Sequence, residues 1–284
     1  MMNIFNTLRG RIISIAVLAV VVAVGIVFWQ MDYLRGQSVK VGLEKGVLKD
    51  QDLLKLSMDS TFVNLYSQQF AFTRDESLKK AILSQRGDQV KKAISHSYKR
   101  LTADQTIASL AVYDQTGKPL AVLPQTQSLQ DQVLVQQSLQ QQVIAHGMVE
   151  DDAGMPHMVL VFPLYDRSQP GHPIGAVVLA QSMAYMANKL NSTAISGYVL
   201  RNSHGKVVFA SLDSVKNAVQ LFEKLPMPQR APLLKSFEFD GHHLDIEQIP
   251  LRGEDGRIIG AFVAVNDVTA LAKKINTLWW ATFA

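Results

Sequence analysis

The chain has 284 residues, no cysteine, and a formal net charge of +4 from 28 Lys and Arg against 24 Asp and Glu. The absence of cysteine excludes disulfides, thiolate nucleophiles and thiolate metal sites. The basic residues are spread along the chain without a dense cluster, which argues against a nucleic-acid partner.

An uncharged apolar run extends from residue 12 to residue 29, with the sequence IISIAVLAVVVAVGIVFW. At about 1.5 Å per residue, a helix of this length nearly crosses the roughly 30 Å hydrocarbon core of a bilayer. Arg9 and Arg11 precede the run, and Trp29 and Tyr33 stand at its far end. Basic residues collect on the cytoplasmic side and aromatic residues at the interfaces, so this pattern leaves the N-terminus in the cytoplasm.

We therefore predict a cytoplasmic N-terminus over 1–11 and a transmembrane helix over 12–31. The residues beyond this helix are then extracytoplasmic, and the chain is embedded in a membrane. A cleaved signal peptide is the alternative, because Ala23-Val24-Gly25 is a small-x-small triplet. The apolar run continues beyond that triplet, which favours the membrane anchor.

The chain ends inside another apolar run, INTLWWATFA over 275–284. We expect an exit helix and the truncated start of a second transmembrane helix over 271–284. The alternative is an amphipathic terminal helix whose Trp279 and Trp280 pack on the protein or lie in the membrane interface.

The stretch from residue 39 to residue 73 has the pattern of a long helix, with no proline and no glycine beyond Gly46. After the break at Arg86-Gly87, a second helix is expected over 88–101. We predict a long helical segment over 34–105 that packs one apolar face on the domain C-terminal to it. The residues of that face recur at steps of three, four or seven: Val47, Leu54, Met58, Phe62 and Leu65.

A hairpin-like phrase occurs twice. IASLAVYDQTGKPLAVL, over 107–123, reads as two strands around a turn, and YVLRNSHGKVVFASL, over 198–212, repeats it with Gly117 and Gly205 at an offset of 88 residues. Phe162-Pro163-Leu164-Tyr165 matches Ile249-Pro250-Leu251-Arg252 at an offset of 87. Similar offsets over separate phrases indicate a tandem duplication of one fold unit.

Each unit reads as a hairpin, a helical insert and three more strands. We predict an α+β fold in which a long N-terminal helix precedes two tandem PAS-like antiparallel-sheet units, flanked by transmembrane helices. The first unit covers 106–186 and is membrane-distal, and the second covers 187–270 and is membrane-proximal. The long helix is expected to cover the sheet face that the inserts leave open.

This arrangement resembles the double Cache sensory region of bacterial transmembrane receptors. The resemblance implies that the chain is embedded in the inner membrane of a bacterium, with its sensory region in the periplasm. YDQTGKPLAVL and LRNSHGKVVFASL look like the first hairpin of a PAS-like fold, and IGAVVLAQSM and IGAFVAVNDVT look like its last strand. The phrase VNDVTALAKKIN is similar to the exit into a second span in chemoreceptors, sensor kinases and cyclic-di-GMP enzymes. The aromatic and arginine cluster with a distal aspartate that grips amino-acid ligands in such receptors has no convincing copy here.

The resemblance implies a ligand pocket in the first unit, between the central strands and the helical insert. Pockets for small ligands combine apolar walls with a few directional polar groups. The candidate ligand-binding residues are Tyr98, Arg100, Tyr113, His146, Met148, Asp151, His157, Phe162 and Tyr165. Six of them also have a purely structural interpretation: Arg100 as a solvated helix end, Tyr113 and Tyr165 as half-buried packing residues, Phe162 as core, His157 as a satisfied or exposed histidine, and Asp151 as part of a turn.

Metal binding and catalysis are not expected within this segment. His146 and His157 could meet across neighbouring strands, but a zinc site needs three or four ligands and no others are obvious. No Gly-rich phosphate loop follows a strand, and no G-x-S-x-G or H-E-x-x-H motif occurs. We predict no cofactor, with cofactor binding in the PAS manner as a weaker alternative.

The predicted function is a non-catalytic, ligand-sensing input region. A small molecule in the first unit would favour one of two packings of the units and the long helix, and the exit helix after Asp267 would carry the change into the second span. A homodimer is expected, with the long helix available for pairing.

The alternative function is that of a membrane-anchored protein-interaction module without a small-molecule ligand. We expect an output domain after residue 284, and the sequence leaves open whether that domain serves chemotaxis, phosphotransfer or cyclic-dinucleotide signalling.

Overall fold

A computed structural model describes residues 8–125, 128–167, 170–191, 197–211, 218–229, 231–269 and 273. The chain divides into two compact parts, Met1–Asp50 and Gln51–Ala284. Helix α1 (Leu8–Thr73) begins in the first part and ends in the second. The predicted exit helix and second span over 271–284 lie outside the described residues, apart from Lys273.

Within the part of the chain that the structure describes, no helix combines the length and apolarity required to cross a membrane.

Two helices come after α1 and extend the predicted helical segment. The expected second helix is α3 (Gly87–Ala103), whereas α2 (Glu76–Leu83) was not predicted. Helix α2 is short, but it has a strong start signal, since the Asp75 carboxylate accepts hydrogen bonds from the backbone N–H of Ser77 at 2.9 Å and of Leu78 at 3.1 Å. Such a cap satisfies N–H groups that have no partner inside the helix.

Two five-stranded antiparallel sheets come next, and they confirm the predicted pair of tandem PAS-like units. The first sheet has the order β2-β1-β5-β4-β3 and the second the equivalent order β7-β6-β10-β9-β8. The first unit is built from β1 (Ser109–Asp114), β2 (Pro119–Leu123), α4 (Gln132–Gln141), β3 (Ala145–Glu150), β4 (Pro156–Tyr165) and β5 (Pro173–Ser182). After α5 (Met183–Asn191), the second unit is built from β6 (Gly197–Asn202), β7 (Val207–Ala210), α6 (Val219–Glu223), β8 (Leu233–Phe239), β9 (His242–Arg252) and β10 (Ile258–Asp267).

The first turns of the two units repeat at the level of single hydrogen bonds. The Asp114 carboxylate accepts the N–H of Thr116 and of Lys118 at 2.8 and 2.9 Å. In the second unit, the Asn202 side-chain oxygen accepts the N–H of His204 and of Lys206 at 3.1 and 2.9 Å. Both turns end on a glycine with positive φ, +81° in the first unit and +79° in the second. Glycine adopts this conformation without steric cost, which explains why both phrases carry it.

The first sheet is covered on both faces. Helices α1, α2 and α3 pack on one face, where buried residues such as Ile82, Ile94 and Leu110 form one cluster. Helix α4 packs on the other face through Leu134 and Val135. The insert helix and the N-terminal helices therefore cover opposite faces of the first sheet, as the sequence analysis predicted.

The second sheet is also covered on both faces. On one face it meets α1 and α5, with Leu54, Met186 and Phe262 in one cluster. On the other face α6 packs through Phe222 against Val263. Helix α5 comes directly after β5 and was not predicted, because its apolar spacing, from Met183 through Met186 to Leu190, extends over only nine residues.

The predicted apolar stripe of α1 faces the core of the second compact part. Leu54 and Leu65 are buried, and Met58 and Phe62 are half-buried against the same clusters; the side chain of Val47 is not among those described. We predicted that the long helix covers the sheet face that the inserts leave open. For the first sheet this prediction is wrong, because α2 and α3 cover most of that face.

Candidate functional site

The insert-helix face of the first unit holds a buried polar pair. The Tyr113 hydroxyl on β1 donates to the Asp131 carboxylate, with distances of 2.8 and 3.0 Å to its two oxygens. Asp131 immediately precedes α4, and both side chains are buried. The pair therefore ties the start of the insert helix to the sheet.

Burial changes the titration of both groups. It raises the pKa of the Asp131 carboxyl to about 6, although the hydrogen bond from Tyr113 acts to lower it. Burial, followed by the nearby Asp131 charge, raises the pKa of the Tyr113 hydroxyl well above its ordinary value. Removing a carboxylate from water disfavours its charged form, which is the physical origin of the first shift. A buried acid whose pKa is shifted in this way, beside a specific partner, is a candidate functional group.

A second polar pair organises the β3–β4 hairpin of the first unit. His157 Nε2 lies 3.0 Å from Asp151 Oδ2. The other Asp151 oxygen accepts the backbone N–H of Ala153 and of Met155 at 3.0 and 2.8 Å. Desolvation lowers the pKa of His157 despite the opposing effect of Asp151. The simplest sequence reading of Asp151, as a turn residue, matches these bonds.

This hairpin contacts the second unit. The Glu150 carboxylate accepts the backbone N–H of Ser203 at 3.0 Å. Gly154, at φ +79°, lies so close to the second unit that an added Cβ would come within 2.8 Å of the Asn202 amide nitrogen. Asp151 and His157 therefore stabilise a hairpin at the junction between the two units.

The other predicted site residues lie elsewhere. Half-buried Tyr98 and fully buried Phe162 belong to the cluster under α1 to α3, on the opposite face of the first sheet from Tyr113. Arg100 is exposed at the end of α3. Tyr165 is exposed, and its hydroxyl lies 3.5 Å from the Gln142 carbonyl oxygen.

The two remaining candidates are on β3. The His146 ring packs edge-on against Phe62 of α1, with the ring centroids 5.0 Å apart, and Met148 packs against the α1-side cluster of the second unit. The structure thus places Tyr113, Asp151 and His157 on the α4 side of the first sheet. Tyr165 lies at the edge of that side, beside the C-terminal end of α4, and the other five residues lie elsewhere.

The sequence analysis missed a buried polar pair in the second unit. Arg201 on β6 donates from Nε to the Gly205 carbonyl at 3.0 Å, from Nη1 to Gln248 Oε1 at 2.6 Å, and from Nη2 to the Leu225 carbonyl at 2.7 Å. Burial lowers the pKa of the Arg201 guanidinium, and the Glu223 charge opposes that effect. The repeat alignment could have found this residue, because Arg201 stands where the first unit has Tyr113.

A shallow depression lies on the outer side of α4. It has a volume of about 580 Å³ and opens to solvent. Its lining is dominated by glutamine side chains, with one carboxylate from the second unit: Gln132, Val133, Gln136, Gln137, Gln140, Gln141 and Glu254. None of the predicted site residues lies there. Among the described residues, no group of three or more His, Asp or Glu is placed to hold a metal ion.

Comparison with known proteins finds similarity to solved structures only. No protein-family model matches the chain, and no curated protein does. The chain resembles the periplasmic domain of Vibrio cholerae LuxQ, with 12% identity over 78% of this chain and 99% of that one and a TM-score of 0.47. It also resembles the sensor domain of the V. cholerae histidine kinase DctB. The identity is 12% over 78% of this chain and 96% of that one, with a TM-score of 0.43.

A third similar structure is the ligand-binding domain of the Pseudomonas fluorescens chemoreceptor CtaA in complex with L-isoleucine. It has 13% identity over 77% of this chain and 93% of that one, with a TM-score of 0.37. These three similar structures are thus a periplasmic domain, a sensor domain and a ligand-binding domain. The strand order and packing of the chain itself, rather than these distant similarities, define its fold as two tandem PAS-like units behind a long N-terminal helix.

Proposed function

We propose that this chain is the extracytoplasmic ligand-sensing region of a bacterial transmembrane signalling receptor. A small molecule binds in the first unit, and the resulting change passes through the second unit to a second membrane span. The observation that carries the proposal is the buried Tyr113–Asp131 pair between the sheet and the start of α4. A ligand that interacts with this pair would shift the insert helix relative to the sheet.

The membrane part of the proposal is supported by the N-terminal apolar run. Val17, Leu18 and Trp29 are 57%, 65% and 73% exposed on the helical segment of the first compact part. An apolar helix surface of this kind is stable in a lipid environment, and Arg9 and Arg11 orient it with the N-terminus inside.

The route of transmission is supported by the contacts between the units. The β3–β4 hairpin contacts the β6–β7 turn through Glu150 and Ser203, and β6 pairs directly with β10. At the end of β10, the Asp267 carboxylate accepts the N–H of Thr269 at 2.9 Å, as an N-cap does. A displacement of the hairpin would therefore reach the chain segment that leads toward the second span.

A homodimer completes the proposal. On α1, Leu56, Val63, Tyr66 and Phe70 are exposed at spacings of seven, three and four residues, opposite the core-facing stripe. This spacing is that of a helix–helix seam. Two copies anchored in the same membrane would present it in the same orientation, so a parallel pairing of the two α1 helices would bury it.

The rival function is a protein-interaction module without a small-molecule ligand. It is favoured by the close packing under α4, where Leu134, Val135 and Leu139 fill the sheet face with the chain's own side chains. In this reading the Tyr113–Asp131 pair only anchors the helix.

A thermal-unfolding screen of the full chain in detergent separates the two functions. The probes are a set of organic acids, amino acids, amines and purines. We expect at least one class to raise the midpoint of wild type, and Tyr113→Phe, which removes the hydroxyl and keeps the ring, to abolish that rise. Arg100→Ala is the matched control, because Arg100 is exposed and distant from α4. No rise with any probe favours the interaction module, and the proposed site is contradicted if every rise that is observed survives Tyr113→Phe.

A further inference from the structure

The α6-side face of the second sheet contains a buried positive charge without a carboxylate in direct contact. The Arg201 side chain is 1% exposed, and its three hydrogen-bond acceptors are two backbone carbonyls and an amide oxygen, all neutral. Among the described residues, no ion pair within 4 Å includes Arg201. The charge of Glu223 acts on Arg201 without direct contact, and its carboxylate accepts the backbone N–H of Val207 at 3.2 Å instead. Buried charges in proteins are normally paired, so this guanidinium needs an explanation.

Gln248 adds a second buried donor at the same place. It is 0% exposed, and its Oε1 accepts the bond from Arg201. A guanidinium can only donate, so the amide oxygen must face Arg201 and the amide nitrogen must point away. Within the described part of the chain, Gln248 Nε2 is buried and has no hydrogen-bond acceptor. The Nε2 amide group of Gln248 can therefore still donate a hydrogen bond. Arg201 can also donate further, because its guanidinium has five N–H groups and makes three bonds.

The fold itself does not require this polar pair. The two repeat offsets align Arg201 with Tyr113 and Gln248 with Val161, and the first unit builds the same sheet with that valine fully buried. Replacing a buried valine by a glutamine whose amide nitrogen lacks an acceptor destabilises a fold unless something else binds the donor. The pair is thus better explained by a ligand than by packing.

We infer that the second unit contains a binding site for a small monocarboxylate, formed by Arg201 and Gln248. One carboxylate oxygen accepts from the guanidinium and the other from Gln248 Nε2, which compensates the buried charge with a charge-assisted pair. The rest of this face is apolar, with Val199, Phe222 and Val263 in the buried cluster. A short aliphatic or aromatic acid suits such surroundings better than sulfate or phosphate, whose additional oxygens would lack donors.

The test measures thermal unfolding of the full chain in detergent with sodium acetate, propionate, butyrate or benzoate. Sodium chloride and sodium sulfate at equal ionic strength are the reference salts. We expect at least one carboxylate to raise the wild-type midpoint above both reference salts. Equal effects of sulfate and carboxylates, or no effect of any carboxylate, would overturn the inference.

The decisive variant is Gln248→Glu, which places a carboxylate beside Arg201 within the chain. We expect it to raise the midpoint without any added acid and to weaken carboxylate binding, measured by calorimetry, at least about tenfold. Arg100→Ala, at an exposed position near the end of α3, is the control and should leave carboxylate binding unchanged. If Gln248→Glu binds as wild type does and Tyr113→Phe does not, the ligand is in the first unit, so this inference fails while the proposed function stands.

Discussion

Tyr113 and Arg201 occupy equivalent positions in the two units. Each makes hydrogen bonds on the face of its sheet that the insert helix covers. Tyr113 contacts Asp131 at the start of α4, whereas Arg201 contacts the Leu225 carbonyl just beyond the end of α6. One fold therefore uses a hydroxyl to hold a carboxylate in the first unit and a guanidinium to hold carbonyls in the second.

The titration of Asp131 leads to a test of the buried pair. Its pKa is raised from 3.8 to about 6, and each pKa unit corresponds to about 1.4 kcal/mol. Between about pH 4 and pH 6 the native state retains a proton that the unfolded state has released, so the contribution of this group to stability falls as the pH rises. The loss is up to about 3 kcal/mol and is complete by pH 7.

We expect Asp131→Asn, which can still accept from Tyr113, to remove this dependence. The free energy of unfolding of the variant, relative to wild type, should rise by up to about 3 kcal/mol from pH 4 to pH 7 in chemical denaturation. Asp114→Asn is the control with the opposite sign: the Asp114 pKa is lowered by its hydrogen bonds from Thr116 and Lys118, so its contribution is lost as the pH falls. A pH-independent difference between Asp131→Asn and wild type would contradict the burial argument.

At the scale of elements, α1 has two apolar faces with different surroundings. Leu54, Leu65 and Phe72 are buried in the clusters of the two units, while Val63 and Phe70 are 68% and 57% exposed. The sequence analysis identified only the buried face. Both faces have helical spacing, and only tertiary packing decides which of them the core uses.

The exposed face leads to a test of dimerisation. We expect Val63→Glu combined with Phe70→Glu to weaken self-association of the full chain in detergent at least about tenfold, because two pairs of like charges would meet across a parallel seam. The measurement is sedimentation equilibrium. Val133→Glu is the matched control, since Val133 is exposed to a similar extent on α4. Unchanged association of the double variant, or an equal effect of the control, would show that α1 is not the interface.

The elements that could be predicted from the sequence are those with local signals. The turns that end at Gly117 and Gly205 combine a short polar side chain with a glycine in a positive-φ position, and strands of alternating or continuous apolar residues flank them. Helices α2 and α5 were missed because eight or nine residues give too few turns for a periodic pattern. The Tyr113–Asp131 pair was missed for a different reason, since it depends on where the end of a loop meets the sheet.

At the scale of the whole molecule, the repeat explains most of the architecture. Two sheets of equivalent strand order each bury one face against the N-terminal helices or α5 and the other against an insert helix. The junction was not predicted, because it joins Glu150 of one unit to Ser203 of the other and neither residue has a distinctive local pattern. Gly154 at the same junction shows how closely the two units approach, as its missing Cβ makes room for the Asn202 side chain.

The central claim is that a ligand acts on the insert helix of the first unit and that the change crosses the junction to the second unit. Hydrogen exchange of the full chain in detergent, with and without the compound that raises the melting midpoint, tests it most directly. We expect slower exchange in α4 and in the β3–β4 hairpin, together with altered exchange in β10 near Asp267. Protection confined to the exposed face of α1, or no change in α4, would contradict the account.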